Sequence, residues 1–566
     1  MSTAKVFRAA CLALGLALLG ASCTGPQQDA SAHGVRGGTL RVLSADDITG
    51  LDTAVNYTPN GLAIAHAYAR TLYGYNLAGP PDQDTVPVPD IADGPPQRSA
   101  DQRTYTFRLR AGVRYAPPVN REVTATDFIT AIQRLYDKQT PSPGQQYADL
   151  IAGARRFGAG KARRISGLAA PDARTLKITL DQPAYDFLAI LTLSLFAPVP
   201  AEYAASYQVG ANYDGHVVGS GPYTPDTYIP GDTVVLVRNP HWDPATDPLR
   251  RAWVDRIRIT LDVKIASIQR AIDREEADLS LDSHVPQTRI DALRADPQRF
   301  RRLSVNPTGN LLYLALGTHR AAGAIADVRV RQAVNYAIDK VAYRDATAGQ
   351  FAPNGELAST ILAPGSLSYR RYDLYPTPGG RGDPAKAKAL LAAAGYPNGL
   401  TLGFVTFGSG RYAAGRKPIE ASLAKAGIDL KVKTYEGAAV WEKSLNVPSK
   451  RLEHQLGQTI WNLDYLGDNA RQTIVPLFDG RYLNISEYNN PAVNRLIDRA
   501  LAEPDQTRRA AMWGELDQRI MRDAPLVPLL RETFSFQWAS RVHGWVYDPW
   551  TVTPDLTAPW LDPPSP

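Results

Sequence analysis

Strand-like and helix-like segments take turns along this chain with no fixed internal repeat, and that order restricts what it can fold into. Thr39-Leu40-Arg41-Val42-Leu43 begins a strand. Tyr105-Thr106-Phe107-Arg108-Leu109-Arg110 alternates as a half-buried strand does. Further strands are expected at 175–180, 233–237, 257–261 and 311–316. Between them, 63–73, 265–273, 328–342, 385–394, 491–503 and 507–521 carry apolar residues at helical spacing. Thr126 is placed to cap a helix over 127–135, with Asp127 in its first turn, and Gly395 to stop the helix that precedes it. With 566 residues the chain is long enough for several packed units, at about 100–200 residues each. The expectation is an α/β or α+β protein of more than one lobe.

The N-terminus has the layout of an export signal: Lys5 and Arg8, an apolar run over 9–19, then the small residues Gly20-Ala21-Ser22. The run is too short for a bilayer span, which needs about 20 residues. Leu19-Gly20-Ala21-Ser22-Cys23 resembles a bacterial lipobox, although Gly20 stands where that pattern usually has Leu. The resemblance implies a diacylglyceryl group on Cys23, which becomes the first residue of the mature chain. Two chains hold a protein on a membrane where one holds it only marginally. The alternative is an ordinary cleaved signal with a chance cysteine. Residues 24–38 are polar and aperiodic and read as a flexible tether.

Both cysteines, Cys11 and Cys23, lie at or before the expected cleavage point. With Cys23 lipidated, no disulfide, thiolate metal site or cysteine nucleophile is available. The formal charge of +6 includes Lys5 and Arg8, and no dense Lys/Arg run with interleaved aromatics occurs, so nucleic acid is not an expected partner. Arg156, Arg163 and Arg164 read as a solvated face. No HExxH, GxSxG, P-loop or GxGxxG pattern occurs, and no two of the eight histidines have the spacing of one helical turn. No catalytic residue, metal site or cofactor is therefore expected. Abundant carboxylates keep a hydrolase with a carboxylate pair open as the weaker reading. The 27 tyrosines and nine tryptophans suit packing and the walls of wet ligand cavities.

Several segments, in order, resemble the solute-binding proteins of peptide-type ABC importers, extracellular family 5. They begin with Gly38-Thr39-Leu40-Arg41-Val42, the segment from Tyr105 to Tyr115, and Val123-Thr124-Ala125-Thr126-Asp127-Phe128. Gly219-Ser220-Gly221-Pro222-Tyr223 and Leu236-Val237-Arg238-Asn239-Pro240 follow. Val328-Arg329-Val330-Arg331-Gln332-Ala333 leading to Ala337-Ile338-Asp339-Lys340 is the most specific, with the segment from Asp383 to Leu391 and Ala394-Gly395-Tyr396 close behind. The set spans about nine-tenths of the mature chain. The resemblance implies an α/β, two-lobed periplasmic-binding-protein-like fold of type II, cluster C, with an extra inserted domain and a hinge-closed cleft. The implied division is a signal over 1–22, lipidated cysteine and tether over 23–38, a discontinuous lobe I (39–80, 166–305, 531–566), an inserted domain (81–165) and lobe II (306–530).

Trp461-Asn462-Leu463-Asp464-Tyr465 resembles the family's cleft segment Trp-x-x-Asp, whose aspartate pairs with a peptide α-ammonium. Asp464 is the leading ligand-binding candidate, and Trp461 and Tyr465 are candidate walls of the same cavity. Asn56 and Tyr57 are candidate edge contacts, Tyr435 and Trp441 further aromatic walls. Gly219, Ser220 and Gly221 read first as a structural turn, with close backbone approach to the ligand as the candidate binding role. Asp468 falls where relatives often carry a second acid, and Arg329 and Arg331 read as interlobe or fold-holding charges. The implied function is extracytoplasmic capture of a peptide or similar small solute for an ABC permease with a cytoplasmic ATPase, by a monomer anchored to the cell membrane. The alternative is an envelope receptor sensing a non-peptide solute such as a nickel chelate, haem or an oligosaccharide.

Overall fold

Three large sheets, each facing its own apolar core, organise the computed structural model, which describes residues 34–563 apart from 78–84, 140–141, 284, 349–354, 437–438, 452–453, 468–469 and 482–483. The export segment, Cys11, Cys23 and Asp468 lie outside the described residues.

The first sheet has the strand order Leu279–Ser280, Thr39–Leu43, Arg256–Thr260, Thr233–Arg238, Tyr223–Ile229. Thr39–Leu43 lies parallel to Arg256–Thr260, so Leu40 meets Ile257 and Val42 meets Ile259 on the inward face. Their core is completed from the far end of the chain by Trp538, Trp545, Leu556 and Leu561. The second sheet has the order Gln97–Arg98, Thr104–Arg108, Thr175–Thr179, Leu168–Asp172. It reaches past residue 165, the expected end of the inserted domain, because Thr175–Thr179 is the antiparallel partner of Thr104–Arg108. Tyr105 and Phe107 point from it into the second core.

The third sheet has six strands, in the order Glu356–Leu357, Leu526–Gln537, Leu303–Leu316, Leu456–Trp461, Leu400–Phe407, Ile428–Tyr435. Among the described residues, its core draws on those between Leu311 and Leu530. The two longest strands, Leu303–Leu316 and Leu526–Gln537, run antiparallel from Ala315 opposite Leu526 to Leu303 opposite Gln537. At the Leu303 end they leave the third core, since Phe536 packs in the first and the Ser535 hydroxyl donates to the Val285 carbonyl at 2.6 Å. This ladder joins the two lobes, and its register slips between Pro307 and Leu311.

Local chemistry explains the helix starts. The side chains of Asp327, Asp383, Asn490 and Asp505 each accept a backbone N–H of the first turn, at 2.8 to 3.0 Å. The helix expected over 127–135 is instead Ala125–Arg134, capped by Thr124, while Thr126 lies inside it. Asp127 decides this: at the third helical position its carboxylate accepts the Thr124 N–H at 2.8 Å and pairs with Arg121 at 2.7 Å. The helix expected over 328–342 breaks into Val328–Ala337 and Lys340–Ala348, the second started by Asp339 accepting the Ala342 N–H at 2.8 Å. Arg331 donates to the carbonyls of Ile325, Ala326 and Asp523, a fold-holding charge inside the second lobe.

Candidate functional site

The strand Leu456–Trp461 is paired on both sides, and at its end the chain leaves the third sheet. Residues 463–467 then form a tongue that crosses to the other half of the molecule before the helix Ala470–Phe478 begins. Tyr465 and Leu466, 1 % and 6 % exposed, sit in the second core rather than the third. The Tyr75 hydroxyl accepts the Leu466 N–H at 2.9 Å, and the Trp550 indole N–H donates to the Asp464 carbonyl at 2.8 Å. From the tongue's own lobe, Gln472 takes the N–H groups of Asp464 and Tyr465 on its side-chain oxygen and donates to the Tyr465 carbonyl at 2.6 Å. Gly467 has a φ of +94°, which favours glycine where the tongue turns back.

The tongue delivers the Asp464 carboxylate to the boundary between the lobes. Its Oδ2 accepts the Tyr147 hydroxyl, and the Tyr57 hydroxyl also bonds to it, 3.5 Å from that of Tyr147. Burial raises the Asp464 pKa above the ordinary carboxylate range, and the two hydroxyls draw it part of the way back. Burial first, and the Asp464 charge second, push both tyrosines well above 10, so they remain donors. Among the described residues the groups that act on Asp464 are thus two neutral hydroxyls. A carboxylate accepts at about four positions, so two hydroxyls leave part of its accepting capacity unused.

The other expected site residues divide. Trp461 is half-buried against the third core, and its indole N–H is buried without an acceptor among the described residues. Trp441 donates to the Thr459 hydroxyl at 2.9 Å, and residues 459 and 461 share a face of the strand. Tyr435 joins Trp441 in a small cluster with Val405 and Phe407. Tyr57 reaches Asp464, whereas Asn56 is a buried brace whose side-chain N–H donates to the Gly61 carbonyl at 2.9 Å.

One expectation needs correcting, and the structural reading of the glycine turn gains support. Tyr465 is a plug and not a cavity wall: its ring is buried edge-on to Tyr147, with centroids 6.1 Å apart, and its hydroxyl is committed to Asp186. Gly219-Ser220-Gly221 is a scaffold turn. The Ser220 hydroxyl accepts the Arg70 N–H at 3.2 Å, and the Tyr68 carbonyl accepts the N–H groups of Ser220 and Gly221 at 2.9 and 2.8 Å. Sequence reasoning missed Tyr147, Gln472, Trp550, Asp186 and Arg471. Each is an ordinary residue in its local pattern and gains its role only from the fold.

The comparisons follow the same outline. The family model described as bacterial extracellular solute-binding proteins, family 5 Middle, matches residues 86–473. Heme-binding protein A of Haemophilus influenzae is 27 % identical over 473 residues, 80 % of each chain. The periplasmic murein peptide-binding protein MppA of Escherichia coli is 27 % identical over 460 residues, 77 % of this chain and 78 % of its own. Among solved structures, clavulanic acid biosynthesis oligopeptide binding protein 2 superposes with a TM-score of 0.86 at 30 % identity, over 95 % of this chain and 99 % of its own.

Proposed function

Because the chain belongs to the bacterial extracellular solute-binding proteins of family 5, we propose that it captures peptides with a free N-terminus between its two lobes and delivers them to an ABC permease. The observation that carries this is Asp464, a carboxylate at the lobe boundary whose hydrogen-bond donors among the described residues are neutral hydroxyls. An α-ammonium supplies the missing charge and donors, and a hydrogen bond to a charged group is worth about 1.5–3 kcal/mol. Trp461, three residues before Asp464 in the chain, offers an apolar ring, and its indole N–H, without an acceptor among the described residues, a donor for a peptide carbonyl. The activity is capture without chemistry. Opening and closing about the paired strands Leu303–Leu316 and Leu526–Gln537 admits the solute and then encloses it.

Titration calorimetry with trialanine and N-acetyl-trialanine tests the reading. Asp464→Ala should weaken trialanine binding at least tenfold, by the lower end of that range. N-acetyl-trialanine should bind the wild-type protein weakly and be little affected by the substitution. Affinity should also fall as pH drops through the Asp464 pKa, because protonation removes the charge the ammonium meets. Burial places that fall above the pH expected of an exposed aspartate. Equal affinity for both peptides would remove the ammonium from the account.

Similarity to a protein named as haem-binding favours a non-peptide solute as the second reading. Haem added to the purified protein would decide it, by a shifted Soret band. The site outside the cytoplasm follows from the family. Attachment through a lipid on Cys23 is part of the proposal, and no helix among the described residues is long and apolar enough to cross a membrane.

A further inference from the structure

We propose that Asp186 is a latch for the closed protein, a positioning residue that holds the tongue, and with it Asp464, against the first lobe. This rests on the solute being captured between the lobes. Both carboxylate oxygens of Asp186 are engaged from the other side: Oδ1 by Arg471 Nη1 at 2.8 Å, Oδ2 by the Tyr465 hydroxyl. The side chains of Arg471 and Asp186 are 17 % and 8 % exposed, so salt screens the pair far less than a surface pair. The preceding residue repeats the arrangement: the Arg509 guanidinium lies over the Tyr185 ring, 4.5 Å from its centroid. Two successive residues of one loop thus hold cations from two helices of the second lobe, Ala470–Phe478 and Gln506–Asp523. Tyr465 and Leu466 complete the contact with apolar area that opening would return to water.

The latch is made by Arg471, Tyr465 and Arg509, and none of these contacts uses the Asp464 carboxylate. It therefore favours closure whatever solute is bound. Apparent affinity is the intrinsic affinity scaled by the closed fraction. Weakening the latch should accordingly lower affinity for every ligand by one common factor, which sets it apart from substitution of the ligand-reading carboxylate.

The Leu466 amide reports the latch directly, since its hydrogen bond is to Tyr75 of the other lobe. Hydrogen exchange of the full chain without ligand should find this amide protected. Exchange should be at least tenfold faster in Asp186→Asn and in Arg471→Gln, with intermediate protection in Arg471→Lys. The Leu312 amide, in the strand ladder of the second lobe, serves as the folding control and should not change. Should Asp186→Asn lose protection at Leu312 as well, Arg471→Gln, the more exposed partner, decides. A Leu466 amide unprotected in the wild-type protein, or unchanged in Arg471→Gln, would overturn the latch. Because no ligand is present, the result is independent of whether trialanine binds, so the two readings fail separately.

Discussion

Asp548 is a buried acid whose titration couples folding to pH. It accepts the Trp550 N–H at 2.8 Å and the Thr551 hydroxyl at 2.9 Å, and so shapes the loop that sends the Trp550 indole to the tongue. Burial, with a smaller push from Asp555, raises its pKa to about 7. The unfolded carboxylate titrates near 4. Between those values the folded state holds a proton that the unfolded state has lost, so stability from this group falls as pH rises from about 4 to 7 and levels off above. His66 works against it. Burial and Arg250 lower its pKa to about 4, so its contribution rises with pH between about 4 and 6.5. Asp548→Asn removes only the first effect. Its stability relative to wild type, followed through the melting temperature, should become more favourable from pH 5 to pH 8, by roughly 2–3 kcal/mol, because part of the effect already lies below pH 5. A difference that stays flat across that range would show that Asp548 is not the buried acid described. At this scale Asp464 could be singled out as a candidate, because Trp461-Asn462-Leu463-Asp464 is a local pattern that resembles a family segment. Its partners were not: Tyr147 is 317 positions away and Trp550 is 86. Nothing in the surroundings of a lone tyrosine says which distant carboxylate it will meet.

Turns and caps behave differently from sites, since their requirements are local. The turn at Gly219 shows why a glycine pattern is ambiguous between ligand approach and packing. A Cβ there would stand 2.3 Å from the Tyr223 carbonyl oxygen and 3.1 Å from that of Tyr68, both backbone atoms with little freedom to move. Gly219→Ala should therefore cost about 1–3 kcal/mol, read as a lower denaturation midpoint. Affinity per folded molecule should remain that of wild type, because the turn serves the scaffold. A loss of affinity with unchanged stability would return it to the ligand. Helices and strands with clean periodicity were readable within a residue or two, as at Pro491–Ala502 and Thr175–Thr179. The starts were harder. Thr124 and Thr126 are equally good caps by type, and only the reach of Asp127 back to residue 124 separates them. The break near Ile338 was hidden because the apolar spacing continues through both helices that meet there.

For the whole molecule, the order of family-like segments made two lobes and a third unit legible, while periodicity alone gave only alternation. What neither revealed is that one lobe plants two residues of the tongue inside the other's core. Placement outside the cytoplasm leaves one whole-chain question, the means of retention. With two acyl chains on Cys23 the protein should stay with the membrane fraction, and Cys23→Ala should release it into the soluble fraction. Wild-type protein already in the soluble fraction would argue for an ordinary cleaved signal. The discontinuity of the first core has a consequence for how the chain matures. Leu40 and Val42 are among the first described residues, yet they pack with Trp538, Trp545, Leu556 and Leu561 from the last. The second lobe, contiguous between Leu311 and Leu530, is complete while that partner segment is still missing. Pairings so remote are the slow ones, so a nascent polypeptide emerging from its ribosome stays half-built until its tail arrives.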